Sequence, residues 1–192
     1  MPDPNPAALD FLLSRRSRPA KTLGAPAPDR DALRPILTAA ARTPDHGKLE
    51  PWRFIVLERA ALDRLADLVV ARGAALDQPE EKVAKERAAY AGSPLAVAVV
   101  ACPKLSEKVP AIEQTLSAGA ACLQLLNAAL AAGWGANWLS GWPSHDRPFC
   151  EEGLGLAPEE WIAGVIYIGT ERVTPPERPR PDLDRIVTWA DA

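Results

Sequence analysis

Three arginines and a serine stand almost side by side near the start of the chain, in the segment Arg15-Arg16-Ser17-Arg18. Guanidinium groups form paired hydrogen bonds to the planar oxygens of phosphate or carboxylate, and a serine hydroxyl adds another donor at short range. Pro19 disfavours a helical conformation at Arg18, so the chain should leave this cluster extended. The segment therefore predicts an anion-binding site. A solvated basic turn, with arginines favoured near a helix C-terminus by the helix dipole, accounts for the same residues, and both interpretations stay open at this point.

A second group of polar side chains lies about thirty residues later, in the loop 43–52, which reads TPDHGKLEPW and runs into the apolar segment 53–57. His46 and Glu50 are four residues apart in this loop, immediately before Trp52. Both could contact a ligand, and the alternative is a solvated histidine and carboxylate.

Three later segments follow in order. The segment 109–120 contains Val-Pro, then Glu-Gln, then Ser-Ala-Gly-Ala, and begins a long apolar helix. The segment 133–141 reads GWGANWLSG, which is typical of a glycine-rich turn followed by a strand and a loop. The segment 164–170, GVIYIGT, is typical of a buried strand.

In this order, the segments resemble the nitroreductase family of FMN flavoproteins over residues 12–170, and most resemble its small, compact members that carry PDH in the loop before Pro-Trp. No single motif is specific, but their joint order is. The resemblance implies an α+β fold in which a central, mainly antiparallel sheet is packed by helices. It also implies an intertwined homodimer with one FMN per subunit at the interface, in which an extended tail, residues 175–192, wraps the neighbouring subunit.

The resemblance further implies roles for individual residues. Arg15, Arg16 and Ser17 would hold the ribityl chain and phosphate of FMN, in agreement with their independent interpretation as an anion site. The loop 43–52 would place polar side chains against the flavin ring or the ribityl hydroxyls, often from the second subunit. The loop 138–140 would cover one face of the ring, with ordinary packing of a strand end as the alternative. The predicted cofactor-binding residues are Arg15, Arg16, Ser17, His46, Glu50, Trp138, Leu139 and Ser140.

Two of these residues depart from the family pattern. Glu50 stands where glutamine is common, and an ionised carboxylate only accepts hydrogen bonds, whereas an amide also donates them. A buried negative charge beside the flavin would lower its reduction potential unless Glu50 is protonated or paired, with Lys48 or Arg53 as candidate partners. Leu139 stands where the related small enzymes often carry arginine, so a positive charge is missing there.

Residues in the tail and in one charged helix could add further contacts. Arg178 and Arg180 could complete the phosphate site, as tail arginines do in some relatives, but we favour solvated positions for both. The basic residues of helix 80–90 are possible partners for the phosphate of NADPH, and a solvated helix face is the more ordinary explanation.

The resemblance implies an FMN-dependent NAD(P)H oxidoreductase that reduces small electron-poor acceptors such as nitroaromatics or quinones, with NADH or NADPH as reductant. Because a flavin carries the hydride chemistry itself, neither a protein nucleophile nor a metal is required. An FMN-binding protein for storage or sensing, and an interaction protein that only retains the fold, are the alternatives. The consecutive residues Ser144, His145 and Asp146 hold the side chains of a hydrolase triad, but neighbours in sequence cannot form that relay. Ser144 is expected to cap a helix.

Composition excludes several classes of protein. A chain of 192 residues that is 47% hydrophobic can bury one substantial core, so a single domain over residues 1–192 is expected. A net charge of −3 gives no electrostatic signature of nucleic-acid binding. The N-terminus does not resemble a signal peptide, and polar residues interrupt the most apolar helix, so a soluble cytoplasmic protein is expected. The odd number of cysteines without a CxxC pair predicts buried thiols in a reducing compartment and no metal site.

The pattern of apolar residues predicts the elements that must position these groups. Helices are expected at 6–13, 29–41, 61–72, 80–90, 112–132 and near 144–153, with Gly73 closing the third. Strands are expected at 52–57, 95–102, 134–140 and 161–169. Four prolines in the tail predict an extended conformation there.

Overall fold

The strands form one antiparallel sheet in the computed structural model, which describes residues 3–190. The strands are β1 (Leu23–Gly24), β2 (Trp52–Leu57), β3 (Leu95–Ala101), β4 (Gly135–Leu139) and β5 (Trp161–Glu171). β5 is the longest and pairs with β3 on one side and with β4 and β1 along its length, while β2 pairs only with β3. The predicted α+β architecture with a mainly antiparallel sheet is confirmed.

β3 is buried on both faces, as its uninterrupted run of valine and alanine predicts. Leu95, Val97 and Val99 point into one core cluster, and the residues between them point into the other. This alternation follows from the twofold side-chain period of a strand. The sheet is therefore the middle layer of three, with helices on both faces.

Six α-helices accompany the sheet within residues 3–190: α1 (Pro6–Ser14), α2 (Arg30–Ala40), α3 (Arg59–Ala75), α4 (Glu80–Gly92), α5 (Ala111–Ala131) and α6 (Leu183–Ile186). α2 and α5 contribute to one core cluster, and α3 and α4 contribute to the other. The side chains of Asn5 and Asp29 cap α1 and α2, each by accepting from a backbone amide in the first turn.

α5 spans 21 residues and buries only the face that it turns to the sheet. Its outer face leaves the apolar side chains of Ile112, Leu116 and Leu123 exposed. In the described part of the chain, no helix is both long enough and apolar enough to cross a membrane.

The prediction that Gly73 closes the third helix is wrong, because α3 continues to Ala75 and Gly73 is buried inside it. A Cβ atom at this position would lie 2.5 Å from Cγ2 of Val83 on α4. The glycine therefore lets α3 and α4 approach each other closely, a requirement that the sequence around it does not reveal.

Two other expectations differ from the structure, and one strand was not expected. Ser144 does not cap a helix, because it lies buried within the 3₁₀ turn Trp142–His145, and Asp146 instead accepts a hydrogen bond from the amide of Phe149 at 3.2 Å. The tail is extended as predicted except for α6, which becomes possible because the last proline is Pro181 and Asp182 caps the turn that follows. β1 was not predicted, since two residues carry no periodicity. Residues 191 and 192 of the predicted tail, like residues 1 and 2 of the predicted domain, lie outside the described residues.

Candidate functional site

The arginine segment leaves the end of α1 and lies beside β4. Arg15 adopts an extended conformation at the helix C-terminus, and the amide of Arg18 donates to the carbonyl of Ala136 in β4 at 2.8 Å. A cleft of about 310 Å³ opens here, with arginine side chains on one side and the turn 133–135 on the other. The predicted extended exit from the helix is therefore observed, and it brings the arginines against the sheet.

The positive charge of this cluster is only partly compensated. Arg18 forms an ion pair with Glu171 at 3.2 Å, whereas Arg15 donates to the hydroxyl of Ser17 at 3.1 Å and Arg16 to the carbonyl of Pro176 at 3.0 Å. Within residues 3–190, neither Arg15 nor Arg16 forms an ion pair, and the Nε atom of each is buried without a hydrogen-bond partner. Burying these donors is unfavourable unless an acceptor reaches them.

Burial and the neighbouring positive charges both make the protonated form of Arg15 less favourable. Burial lowers the pKa of Arg15, and the positive charges of Arg180, Arg16 and Arg18 lower it further. Such a site gains stability when an anion binds. The geometry therefore favours the anion site over the solvated turn.

The tail contributes Arg180 to this cluster. Arg180 remains about half exposed and pairs with Glu177 at 2.9 Å, but it lies close enough to lower the pKa of Arg15. Two glutamates, Glu171 and Glu177, thus face four arginines. Arg178 is exposed, and among the residues that the structure describes it bonds through its backbone amide alone, as expected for a solvated position.

The loop 43–52 is held in an unusual backbone conformation. Gly47, Lys48 and Glu50 have φ values of 72°, 54° and 48°, in the left-handed region that non-glycine residues seldom adopt. The carboxylate of Asp45 stabilises this turn by accepting from the amides of Leu49 at 3.2 Å and Glu50 at 2.7 Å. The sequence reveals Asp45, but it does not reveal that the backbone of this loop adopts left-handed φ values.

Within this loop, His46 and Glu50 are exposed at the surface of the single chain. Nδ1 of His46 lies 2.6 Å from Oε2 of Glu113 in the first turn of α5, so α5 fixes the imidazole. Arg53 is not the partner of Glu50, because its guanidinium forms a two-point bond to Glu160 at 2.8 and 2.7 Å. Lys48 shares a cleft of about 470 Å³ with Glu50, but Glu50 forms no ion pair within the described structure.

The third predicted group lies at the end of β4. The indole of Trp138 rests over Gly164 of β5, where a Cβ atom would lie 2.0 Å from Nε1. Trp138 and Leu139 are 36% and 38% exposed, so each packs with one side and faces solvent with the other. Oγ of Ser140 lies 3.1 Å from Nε2 of His145.

The predicted residues form two groups within one chain. The arginine segment lies beside the start of β4, where the amide of Arg18 bonds to Ala136, and residues 138–140 follow at the other end of the same strand. The loop 43–52 leads into β2, which is separated from β4 by β3 and β5. Three interstrand spacings amount to about 14 Å, so His46 and Glu50 do not join the other group in a single chain.

Two polar arrangements were not found from the sequence. Arg53, Glu160 and Cys102 form a cluster in which Arg53 lowers the pKa of Glu160 to about 2. Asp146, weighed above only as part of a triad, binds Arg72 at 2.7 Å and so does not orient His145. The residues of each arrangement are far apart in sequence, so no local pattern could have found them. Among the described residues, no group of three His, Cys, Asp or Glu could hold a metal ion.

Comparison with known proteins matches this architecture. The sequence model of the Nitroreductase family matches residues 12–170. The provisionally named NAD(P)H nitroreductase YdjA of Escherichia coli K12 is 36% identical over 166 residues, which cover 86% of this chain and 89% of YdjA. A nitroreductase-like protein from Bacillus cereus superimposes with a TM-score of 0.79 at 22% identity and full coverage of both chains. A provisionally named nitroreductase from Desulfovibrio desulfuricans, solved in complex with FMN, gives 0.74 at 23% identity, covering 98% of this chain and 99% of that protein. With a family match over most of its length and a relative of this similarity, the chain belongs to the nitroreductase family.

Proposed function

We propose that this protein is an FMN-dependent NAD(P)H oxidoreductase that reduces small electron-poor acceptors, such as nitroaromatics or quinones, as a homodimer. The observation that carries the proposal is the arginine cluster with uncompensated charge at the mouth of a cleft. The name of YdjA supports the nicotinamide reductant, and the complex of the Desulfovibrio relative supports the cofactor.

The residues of the cluster fit the phosphate of FMN. Arg15 and Arg16 keep buried Nε atoms without acceptors, and phosphate oxygens accept several charge-assisted hydrogen bonds at once. Ser17 supplies a hydroxyl beside them, and Arg180 adds a further positive charge. A dianionic phosphate would bring the charge of this region close to neutral.

Two features support a dimer with a shared site. The loop with His46 and the arginine segment lie three strand spacings apart, and the family resemblance places this loop against the flavin of the second subunit. Apolar side chains are also exposed in positions that a second copy would cover. They lie on α5 and in the tail, at Ile112, Leu116, Leu123, Leu183, Ile186 and Trp189.

Bound FMN would supply the hydride and electron transfer, and the protein would supply binding, orientation and electrostatics. Arg15, Arg16 and Ser17 hold the phosphate end. Trp138 would provide a flat apolar surface for the ring, and the hydroxyl of Ser140 would bond to its polar edge. From the other subunit, His46 and Glu50 would close the opposite side and exclude water.

The visible absorbance spectrum tests this proposal. Purified protein is loaded with FMN, desalted, and mixed with NADH or NADPH without oxygen. We expect retained flavin peaks that bleach with at least one of the two nucleotides. Retained peaks that bleach with neither would favour storage or sensing, and a folded protein that retains no flavin would refute the proposal. Light scattering on the same sample tests the dimer, since a monomer with flavin bound would contradict a shared site.

A further inference from the structure

Ser140 is in contact with a histidine that follows it by only five residues. Nε2 of His145 lies 3.1 Å from Oγ of Ser140, and the turn between them is fixed because the amide of Ser144 donates to the carbonyl of Gly141 at 3.0 Å. Pro143 and Ser144 are buried, so this turn is anchored in the core while the imidazole reaches the surface. The loop therefore presents the serine and the histidine as one unit.

The carboxylate next to His145 in sequence is bound elsewhere. Both oxygens of Asp146 accept hydrogen bonds from Arg72, at 2.7 and 3.1 Å. Among the described residues, Arg147 and Cys150 line the adjoining cleft, and Glu86 packs against Gly141. Arg147 is held by Glu151 at 2.6 Å, and burial raises the pKa of Cys150 to about 11. Burial also raises the pKa of Glu86.

A serine hydroxyl carries one hydrogen, and its direction depends on the partner. When Nε2 is unprotonated, it accepts the hydrogen of Ser140, and the oxygen can only accept from a ligand. When the ring is doubly protonated, Nε2 donates to the oxygen, and the hydrogen of Ser140 turns towards the ligand. We propose that His145 is a positioning residue that sets whether Ser140 donates to FMN or accepts from it. The proposal rests on the function proposed above, because it takes Ser140 to face the ring.

The chemistry of the flavin gives the direction of the effect. The polar edge of the ring has carbonyl oxygens and ring nitrogens that accept, but only one N–H that donates, so a donating Ser140 fits it better. FMN affinity should therefore be higher at pH 5.5 than at pH 8.0, because acid favours the doubly protonated form of a histidine ring. One hydrogen bond corresponds to about a two- to tenfold change in affinity.

The experiment measures the dissociation constants of FMN and riboflavin at pH 5.5 and pH 8.0, by quenching of flavin fluorescence. Riboflavin lacks the phosphate, whose own titration would otherwise contribute to the pH dependence. The proteins compared are the wild type, His145→Ala, Ser140→Ala and the double variant, with Ser144→Ala as a control in the same turn.

The ratio compared is the dissociation constant at pH 8.0 divided by that at pH 5.5. We expect this ratio to be about two- to tenfold larger in the wild type and in Ser144→Ala than in His145→Ala. Ser140→Ala should reduce the ratio as well, and the double variant should show no further change. A wild-type ratio in His145→Ala, or two effects that simply add, would overturn the role of His145. If the wild type binds no FMN, the proposed function fails and this role fails with it, whereas bound FMN with an unchanged ratio refutes this role alone.

A measurement without flavin tests the contact itself. The chain has two histidines, His46 and His145, so ¹⁵N spectra of their rings are readily assigned with a His46→Gln variant. Ser140→Ala should change the ring-nitrogen shifts of His145 and leave those of His46 in place. Unchanged shifts of His145 would mean that the two side chains do not interact, and the proposal would be wrong.

Discussion

Replacing Arg15 by alanine should weaken FMN binding without weakening the fold. Arg15 has no carboxylate partner within residues 3–190, and three neighbouring arginines lower its pKa by repulsion after the larger effect of burial. Its removal leaves no buried anion without a partner. An arginine in a structural ion pair would behave in the opposite way, because its removal strands a charge.

The expected magnitude follows from the contacts. A hydrogen bond to a charged group contributes roughly 1.5 to 3 kcal/mol, so losing one weakens binding about 10- to 150-fold. Arg15→Ala combined with Ser17→Ala removes two donors that touch each other at 3.1 Å, so the second loss should add less than the first. The free energy of unfolding of the flavin-free protein should stay within about 0.5 kcal/mol of the wild type.

The assay is a fluorescence titration with FMN and, separately, with riboflavin. Because the cluster is assigned to the phosphate, Arg15→Ala should affect FMN far more than riboflavin. Arg30→Ala is a matched control, since Arg30 is an exposed arginine paired with Glu58 at 3.0 Å beside β2. Arg18→Ala should instead lower stability, because it leaves Glu171 without its ion pair.

Two results would refute this reasoning. One is an FMN affinity of the double variant within twofold of the wild type. The other is an equal loss of affinity for FMN and riboflavin, which would move Arg15 away from the phosphate.

Three further predictions concern stability and reactivity. Arg53 lowers the pKa of Glu160 from 4.5 to about 2, so the ionised pair stabilises the fold above about pH 4.5 and this contribution is lost as pH falls towards 2. Glu160→Gln should lower the free energy of unfolding at pH 7 by about 1 to 3 kcal/mol, and denaturant titrations that show the same gap at pH 2 would contradict this. Gly73→Ala should destabilise by about 1 to 3 kcal/mol through its clash with Val83, and calorimetry should show that Val83→Ala restores most of the loss. Burial raises the pKa of the thiols to about 11 or 12, so a thiol reagent at pH 8 should find none reactive before unfolding and three afterwards, namely Cys102, Cys122 and Cys150.

Much of the fold follows from local patterns. The uninterrupted apolar run at β3 predicts burial on both faces, and the helical period at α3 and α5 predicts where those helices lie. The ends of helices and strands that depend on residues distant in sequence could not be predicted from local patterns. Gly73 resembles a helix end in sequence, but the packing of α4 against α3 explains it. β1 forms only because β5 extends far enough to pair with it.

The candidate site, too, depends partly on local sequence and partly on the tertiary structure. The sequence by itself identified the arginine segment as a candidate anion site, because guanidinium groups and a hydroxyl next to one another suit an anion. The buried and unpaired Nε atoms in the structure favour that interpretation over a solvated turn. Only the tertiary structure decided that Arg180 joins this segment and that Ser140 contacts His145. Only the tertiary structure shows that His46 and Arg15 lie apart by the width of the sheet. The physical reason is that residue type and spacing encode local preferences, whereas the meeting of distant side chains depends on the order in which the strands pair.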